Sequence, residues 1–419
     1  MAPHIDTRTV HRPVEPVEGS TPLGTPLYQS HTFAFTDTDA MAAAFEGPGS
    51  PYVYARYGNP TVAALEAAVA DLEGGAGAIA AGSGMGAITS TLWALLGSGG
   101  RVVAQDRLYG GTQGLLDDLR ERWGVDVVQV DAEDPDRVRD ALTADTDVLL
   151  LETIANPTGR VADLPALTAL AREAGAATVV DNTFATPLLC RPIEHGADVV
   201  VHSATKYMGG HSDTIGGVAV FADSGTLGAV RARTAEFGAV LDPFAAWLIV
   251  RGLSTLAVRV SRQCANAQVL AERLAAHPAI TAVHYPGLPD APGHATARRI
   301  LDGGFGGVLA FELAGGLEAG RTFAAAVELA ALAPSLGDVR TLVMHPASTS
   351  HRELDAAGLA RAGIAEGLIR ISVGIEDVED LWADLERAVG AADGGGADRP
   401  GRGPSTGRSG ANPAQPTGR

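Results

Sequence analysis

Five short runs of this chain are apolar along nearly their whole length: Arg101–Ala104, Val127–Val130, Val148–Leu151, Thr178–Val180 and Val199–Val201. A strand that is apolar on both faces must be covered on both faces. That is the condition of a parallel sheet between two layers of helices. Helical stretches separate most of the runs, at Gly114–Arg122, Asp134–Leu142 and Leu164–Glu173, and parallel neighbours need such crossovers. The alternation predicts an α/β fold with a mostly parallel sheet. Ligands of such sheets bind beyond the carboxyl ends of the strands.

The flanking segments are read from their own signals. Residues 1–58 are rich in Pro, Thr and Gly, show no sustained periodicity, and read as an extended arm. Pro60–Leu72 reads as a helix, with Asn59 as its cap, Pro60 in its first turn and Gly74–Gly75 ending it. Gly74–Gly100 carries no charge, but its glycines, Ser83, Thr89, Ser90 and Thr91 suit a buried loop and helix better than a membrane span. A long helix is expected from Pro243 to Leu274, with Gly252 as a possible break. Runs at Ala282–Tyr285, Gly307–Leu313 and Leu368–Val373 read as strands of a smaller sheet, followed by a helix over Val378–Val389. Residues 59–255 and 256–390 are thus expected as a larger and a smaller domain, and the Gly/Pro/Ser-rich residues 391–419 as a disordered tail. The net charge of −18 argues against nucleic acid and anionic membranes as partners. Two isolated cysteines, Cys190 and Cys264, and an N-terminus without an apolar core fit a cytoplasmic protein.

The polar residues just beyond the runs form a set. Glu152, Thr153 and Asn156 follow the third run, Asp181 and Asn182 the fourth, and His202, Ser203, Thr205 and Lys206 the fifth. An amide, a carboxylate and an amine thereby converge on one crevice. AGSGMGAITS at Ala81–Ser90 adds a glycine turn opening a helix, which suits a phosphate. The Walker pattern is absent, and so is the acidic residue of a dinucleotide fingerprint. A ligand with a phosphate, a ring nitrogen that wants a carboxylate and a carbonyl that wants a lysine is pyridoxal phosphate. Other readings stay open for each residue alone: Asp181 as a cap, Asn156 as a turn former before Pro157, and Asp181 with Lys206 as a plain buried ion pair. His202, His211, His345 and His351 match no zinc spacing and read as structural, with no metal expected.

The motifs YARYGNPT (Tyr54–Thr61), GSGMGAITS (Gly82–Ser90), LYGGT (Leu108–Thr112), VDNTFATP (Val180–Pro187), VHSATKYMGGHSD (Val201–Asp213), SLGD (Ser335–Asp338) and HPASTSH (His345–His351) resemble those of the Cys/Met-metabolism group of pyridoxal-phosphate enzymes. The resemblance spans about residues 20–390. It implies the fold type I, aspartate-aminotransferase-like architecture and a set of roles. Lys206 is the Schiff-base lysine, Asp181 partners the pyridinium nitrogen, and Tyr109 stacks on the ring and acts near the leaving group. Ser83, Gly84, Met85, Ser203 and Thr205 hold the phosphate, with Tyr54 and Arg56 reaching it from a neighbouring subunit. Arg370 binds the substrate carboxylate, with Asn156 and Ser335 beside it. The active unit is then a dimer, usually paired into a tetramer, and the substrate is a sulfur amino acid. The implied chemistry is α,γ-elimination to 2-oxobutanoate, ammonia and a thiol, or γ-replacement by a thiol. GSGMGAITSTLWALL and IAEGLIRISVGIEDVEDLWADL look most like methionine γ-lyases. Those enzymes carry a cysteine at the position of Gly111 and a Lys-Asp pair at that of Thr234–Ala235. Cystathionine-specific members carry a glutamate where Pro334 stands.

Overall fold

The computed structural model describes residues 3–12, 14, 19–46, 49–361 and 363–394. Seven strands of the described residues form the larger sheet: β1 (Gly77–Ala81), β2 (Arg101–Gln105), β3 (Asp126–Val130), β4 (Val148–Glu152), β5 (Ala177–Asp181), β6 (Val199–His202) and β7 (Gly217–Phe221). Their order is β1-β7-β6-β5-β4-β2-β3. β7 runs antiparallel to β1 and β6, and the other pairs are parallel.

The apolar runs explain this sheet directly. Leu149, Leu151, Val180 and Val200 face a core shared with Leu65, Val69 and Leu72 of helix Pro60–Glu73 and with Leu164 and Leu167 of helix Leu164–Ala174. Their neighbours Val148, Leu150, Val179 and Val199 face the opposite core, with Ile88 and Leu92 of helix Gly84–Leu95 and Leu116 of helix Gly110–Trp123. Successive side chains alternate faces, so both faces are apolar because both are packed. Asn59 Oδ1 accepts from the N–H of Thr61 and Val62, and Gly74 at φ 76° ends the helix between them, as its residues predict.

Five further strands, β8 (Ile280–His284), β9 (Val308–Leu313), β10 (Ala331–Leu332), β11 (Leu342–Met344) and β12 (Leu368–Ser372), form the smaller sheet in the order β10-β11-β12-β9-β8. The expected long helix is two, Pro243–Leu253 and Leu256–Ala275, bent by 61°. The second helix serves both cores. Leu256, Val260 and Cys264 belong to the core of the large sheet, and Leu270 and Leu274 to that of the small one. The boundary expected at residue 255 therefore lies at the head of a shared helix. Among the described residues no single helix is long and apolar enough to cross a membrane; this bent pair passes on length and composition, but its apolar residues fill the two cores.

Three expectations are corrected. The arm is not wholly extended: Ile5–Val10 and Thr38–Ala43 are short helices, the latter capped by Asp37, whose Oδ1 accepts from Ala40 N–H at 2.8 Å. The buried loop expected after Gly74 contains strand β1, whose Ala-rich sequence GAIAA carries little β signal of its own. The last helix runs on to Ala392, past the boundary expected at residue 390, because Ala391 and Ala392 favour it. The tail from residue 395 lies outside the described residues.

Candidate active site

The register of the large sheet assembles the site. Glu152 at the end of β4 lies beside Asp181 at the end of β5, and Asp181 lies beside Val201, one residue before β6 closes at His202. Lys206 follows four residues later, where the chain turns through Gly209 and Gly210. Its Nζ donates to Ser335 Oγ at 2.8 Å, a contact between residues 129 apart in sequence. Burial, and secondarily the charge of Arg370, hold the Lys206 ammonium below the usual lysine range. A larger neutral fraction makes that amine a better nucleophile and base.

Arg370 stands in β12, which runs antiparallel between β9 and β11. Its guanidinium donates through Nη2 to Ser335 O at 2.7 Å and through Nη1 to Asn156 Oδ1 at 3.3 Å. Burial pulls it down to about 10, so it remains charged at neutral pH. Among the described residues no carboxylate forms an ion pair with it, and its buried Nε has no hydrogen-bond partner. A buried guanidinium without a counter-charge is costly unless an anion completes it. The expected group of Arg370, Asn156, Ser335 and Lys206 is thus joined by direct contacts.

Asp181 is a second ionisable group at the strand ends, with Thr183 and His202 as neighbours. Burial raises its carboxyl above the usual range, while hydrogen bonds from Thr183 and the nearby His202 ring act in the opposite direction. Thr183 N–H donates to Asp181 Oδ1 at 2.9 Å, and the Thr183 hydroxyl accepts from Ser203 N–H at 2.8 Å. His202 itself is buried and bonded to Glu73 at 2.6 Å, and Asn182 donates to the same Glu73 oxygen at 2.9 Å. The structural reading of His202 is thereby given its partners. Among the described residues no group of three His, Cys, Asp or Glu side chains could hold a metal ion.

The glycine turn meets this group from β1. Ser83 caps helix Gly84–Leu95, its Oγ accepting from Gly86 N–H at 3.0 Å. The N–H groups of Gly84 and Met85, in the first turn, have no intrahelical acceptor and face the positive end of the helix dipole. A Cβ on Gly84 would lie 2.8 Å from Ser203 Cβ, and one on Gly217 would lie 2.1 Å from Ser83 O. Only glycine lets the turn close on β6 and β7. Thr205 departs from its expected role in one respect: its hydroxyl bonds the Gly216 backbone, donating to O at 3.1 Å and accepting from N–H at 3.0 Å.

Tyr109 is the N-cap residue of helix Gly110–Trp123 and is 50% exposed. A Cβ on Gly111 would lie 2.5 Å from its ring and 3.1 Å from Met85 Sδ, so ring, sulfur and Gly111 adjoin. Tyr54 and Arg56 stand apart from these residues. Arg56 donates to Ala235 O at 2.9 Å and to Tyr57 Oη at 3.0 Å, and Tyr54, paired edge-on with His31, is largely exposed. Glu152 was not among the expected site residues, although it closes β4 as Asp181 closes β5. It accepts from the N–H of Tyr109 at 2.7 Å and of Asn156 at 3.2 Å.

The donor set fits pyridoxal phosphate. A helix N-terminus with free N–H groups suits the phosphate, a strand-end carboxyl suits the ring nitrogen, and a lysine of lowered basicity suits the carbonyl. Comparison with known proteins agrees. The sequence profile described as Cys/Met metabolism PLP-dependent enzyme matches residues 6–390. An L-methionine gamma-lyase of Pseudomonas putida is 44% identical over 394 residues, 93% of this chain and 98% of the relative. A cystathionine beta-lyase of Coxiella burnetii is 42% identical, covering 92% of this chain and 98% of the relative. The crystal structure of cystathionine gamma synthase from Xanthomonas oryzae pv. oryzae, in complex with aminoacrylate and cysteine, superposes with a TM-score of 0.87 at 38% identity, covering 94% of this chain and 100% of that one. The chain belongs to the Cys/Met-metabolism family of pyridoxal-phosphate-dependent enzymes, with the fold type I architecture.

Proposed function

We propose that this enzyme is a carbon–sulfur lyase that cleaves methionine, homocysteine or cystathionine by α,γ-elimination, yielding 2-oxobutanoate, ammonia and a thiol. The observation that carries the reading is the Arg370–Ser335–Lys206 contact chain. It joins a carboxylate receptor with an unpaired Nε to an amine of lowered basicity through one serine, the two groups that an α-amino acid would engage.

Pyridoxal phosphate, when bound, supplies a carbonyl for the substrate amine and a ring that takes up the electrons left at Cα. The remaining steps are the work of this chain. Arg370 receives the substrate carboxylate as a bidentate fork, steadied by Asn156 Oδ1 and Ser335 O. Lys206 Nζ would take the Cα proton as its base; Ser335 Oγ keeps the amine within reach. Asp181, at the end of β5, would hold a proton at the ring nitrogen. Gly84, Met85, Ser83 and Ser203 orient the phosphate. The half-exposed Tyr109 would serve the group on Cγ as acid or base through its hydroxyl.

The enzyme works as a dimer paired into a tetramer, with Tyr54 and Arg56 completing a neighbour's phosphate site. The exposure of Phe45, Tyr52, Tyr54 and Tyr57 along the arm supports this assignment. Two buried free thiols, Cys190 and Cys264, fit a cytoplasmic setting.

A second reading, γ-replacement by a thiol, shares every residue named above, and Gly111 weighs against methionine as the substrate. Methionine γ-lyases resembling this chain carry a cysteine there, and here even its Cβ would strike the Tyr109 ring. A panel of methionine, homocysteine, cystathionine and O-acylhomoserines, with and without added thiol, decides between them. Release of 2-oxobutanoate without thiol supports elimination. A thioether or homocysteine product from O-acylhomoserine, without release of 2-oxobutanoate from the sulfur amino acids, overturns it in favour of replacement.

A further inference from the structure

One buried carboxyl at the site has no part in the reaction proposed above. Glu152 is 5% exposed, and its two oxygens serve two different segments. Oε1 accepts from the Tyr109 N–H at 2.7 Å, and Oε2 from the Asn156 N–H at 3.2 Å. The Tyr109 carbonyl accepts from Gln113 N–H at 3.0 Å within its helix, and its N–H is held from outside by this carboxyl. Glu152 is itself held. Its N–H donates to Gln105 Oε1 at 2.8 Å, and the Gln105 amide donates to Arg107 O at 2.6 Å, two residues before Tyr109. The loop carrying Tyr109 is therefore tied to the end of β4 at two points.

The charged groups around Glu152 come from every element packed on it. Asp181 faces it from β5. Asp106, Arg107, Asp131, Glu133 and Arg160 line a cavity of about 20 Å³ on its other side, room for a single water. Both arginines are already paired with Glu133. Among the described residues Glu152 forms no ion pair, and burial, followed by the neighbouring Asp181, lifts its carboxyl to about 8. Burial favours the neutral form of both neighbouring carboxyls, and the Glu152 oxygens hold the two N–H groups.

We propose that Glu152 is a positioning residue that couples the two halves of the site, fixing the Tyr109 ring at the cofactor end and the Asn156 amide at the substrate-carboxylate end through one side chain. The inference rests on the roles assigned to Tyr109 and Asn156 above. Removal of the carboxyl should loosen both ends together, whereas a side chain that merely fills space would loosen neither selectively.

The test uses holoenzyme of the wild type, Glu152→Gln and Glu152→Ala. The circular dichroism of the bound cofactor reads the ring end. Spectral titration with glycine, which has a carboxylate but no γ-carbon, reads the other end without turnover. A wild type inactive on the sulfur amino acids would sink the lyase reading and leave this test intact. Glutamine retains one acceptor and alanine none. The expected result is a stepwise loss of the cofactor dichroism, with glycine binding weakened by roughly tenfold in Glu152→Gln and roughly a hundredfold in Glu152→Ala, the scale of an ångström of misplacement. If either signal stays within twofold of wild type while the other moves, or if both stay, the coupling is refuted. Should Glu152→Ala fail to fold, the same two signals in Glu152→Gln decide.

Discussion

Replacing Gly84 by alanine should free the cofactor while leaving the fold intact. A Cβ there would lie 2.8 Å from Ser203 Cβ, 2.9 Å from its Cα and 3.0 Å from its Oγ. Carbon atoms rest about 3.5–4.0 Å apart, so the turn and the end of β6 must part by roughly 1 Å to reach that spacing. Ser203 cannot rotate away, because the clash includes its Cα and its N–H is held by Thr183 Oγ1 at 2.8 Å. A donor about 2.9 Å from a phosphate oxygen would end near 3.9 Å, beyond hydrogen-bond range. Two donors are at stake, the N–H groups of Gly84 and Met85. Each bond to a charged group contributes about 1.5–3 kcal/mol. Their joint loss is about 3–6 kcal/mol, or roughly a hundredfold to ten-thousandfold in the cofactor Kd. The overpacking itself costs the fold only about 1–3 kcal/mol. Titration of the apoprotein with pyridoxal phosphate, followed by absorbance, gives the Kd; thermal melts with and without cofactor separate affinity from fold. A Gly84→Ala protein that binds the cofactor within threefold of wild type would falsify the phosphate assignment.

Other perturbations test the remaining parts of the site. Purified wild type should be yellow, and Lys206→Ala should lose the cofactor band near the visible edge together with all activity; a coloured, active variant would move the carbonyl chemistry elsewhere. Mixing inactive Lys206→Ala with an inactive Tyr54→Phe/Arg56→Ala variant should restore part of the activity in proven heterodimers, and no recovery would place Tyr54 and Arg56 in their own subunit's structure, where Arg56 now bonds Ala235 O. Gly111→Cys should push the Tyr109 ring from its present seat, since the Cβ alone would lie 2.5 Å from it, and unchanged kinetics with unchanged cofactor dichroism would show the ring free to yield. For pH, Glu152 is raised by burial to about 8 in the folded chain, against about 4.3 unfolded. A raised carboxyl contributes its stability below the unfolded value and loses it as pH climbs through the folded one. The apoprotein Tm should therefore fall between about pH 4.3 and pH 8, and Glu152→Gln should flatten that fall; an identical slope in both proteins would mean that other groups set it.

What the sequence made legible and what it hid follow one physical division. The strands β2 and β4 to β6 could be read because each is apolar on both faces, a demand that burial places on the local residues themselves; β3, at the edge of the sheet, shows only a short valine run and leaves Asp126 and Gln129 exposed. Lys206, Asp181 and Asn156 could be read because chemistry demands their types at strand ends. β1 and β7 could not. Their glycines look like turn formers, yet Gly77 is small because a Cβ would lie 2.7 Å from Leu227, and Gly217 because one would meet Ser83 O at 2.1 Å. Those demands come from segments far along the chain, and one sequence gives no sign of them. Ser335 shows the same limit within the site. A motif can suggest it, but its φ of 97° is a left-handed conformation that a serine adopts only under constraint. The constraint arrives from Arg370, which bonds its carbonyl, and from Lys206, which bonds its hydroxyl. Glu152 is the sharper case, since its type and strand-end position match those of Asp181 and only its partners differ. Two backbone N–H groups claim its oxygens, and no local pattern announces which N–H groups a carboxylate will meet. A residue that acts on the substrate is constrained by the reaction and leaves its mark in residue type. A residue that holds other residues is constrained by the fold, and its role becomes readable only when the distances are known.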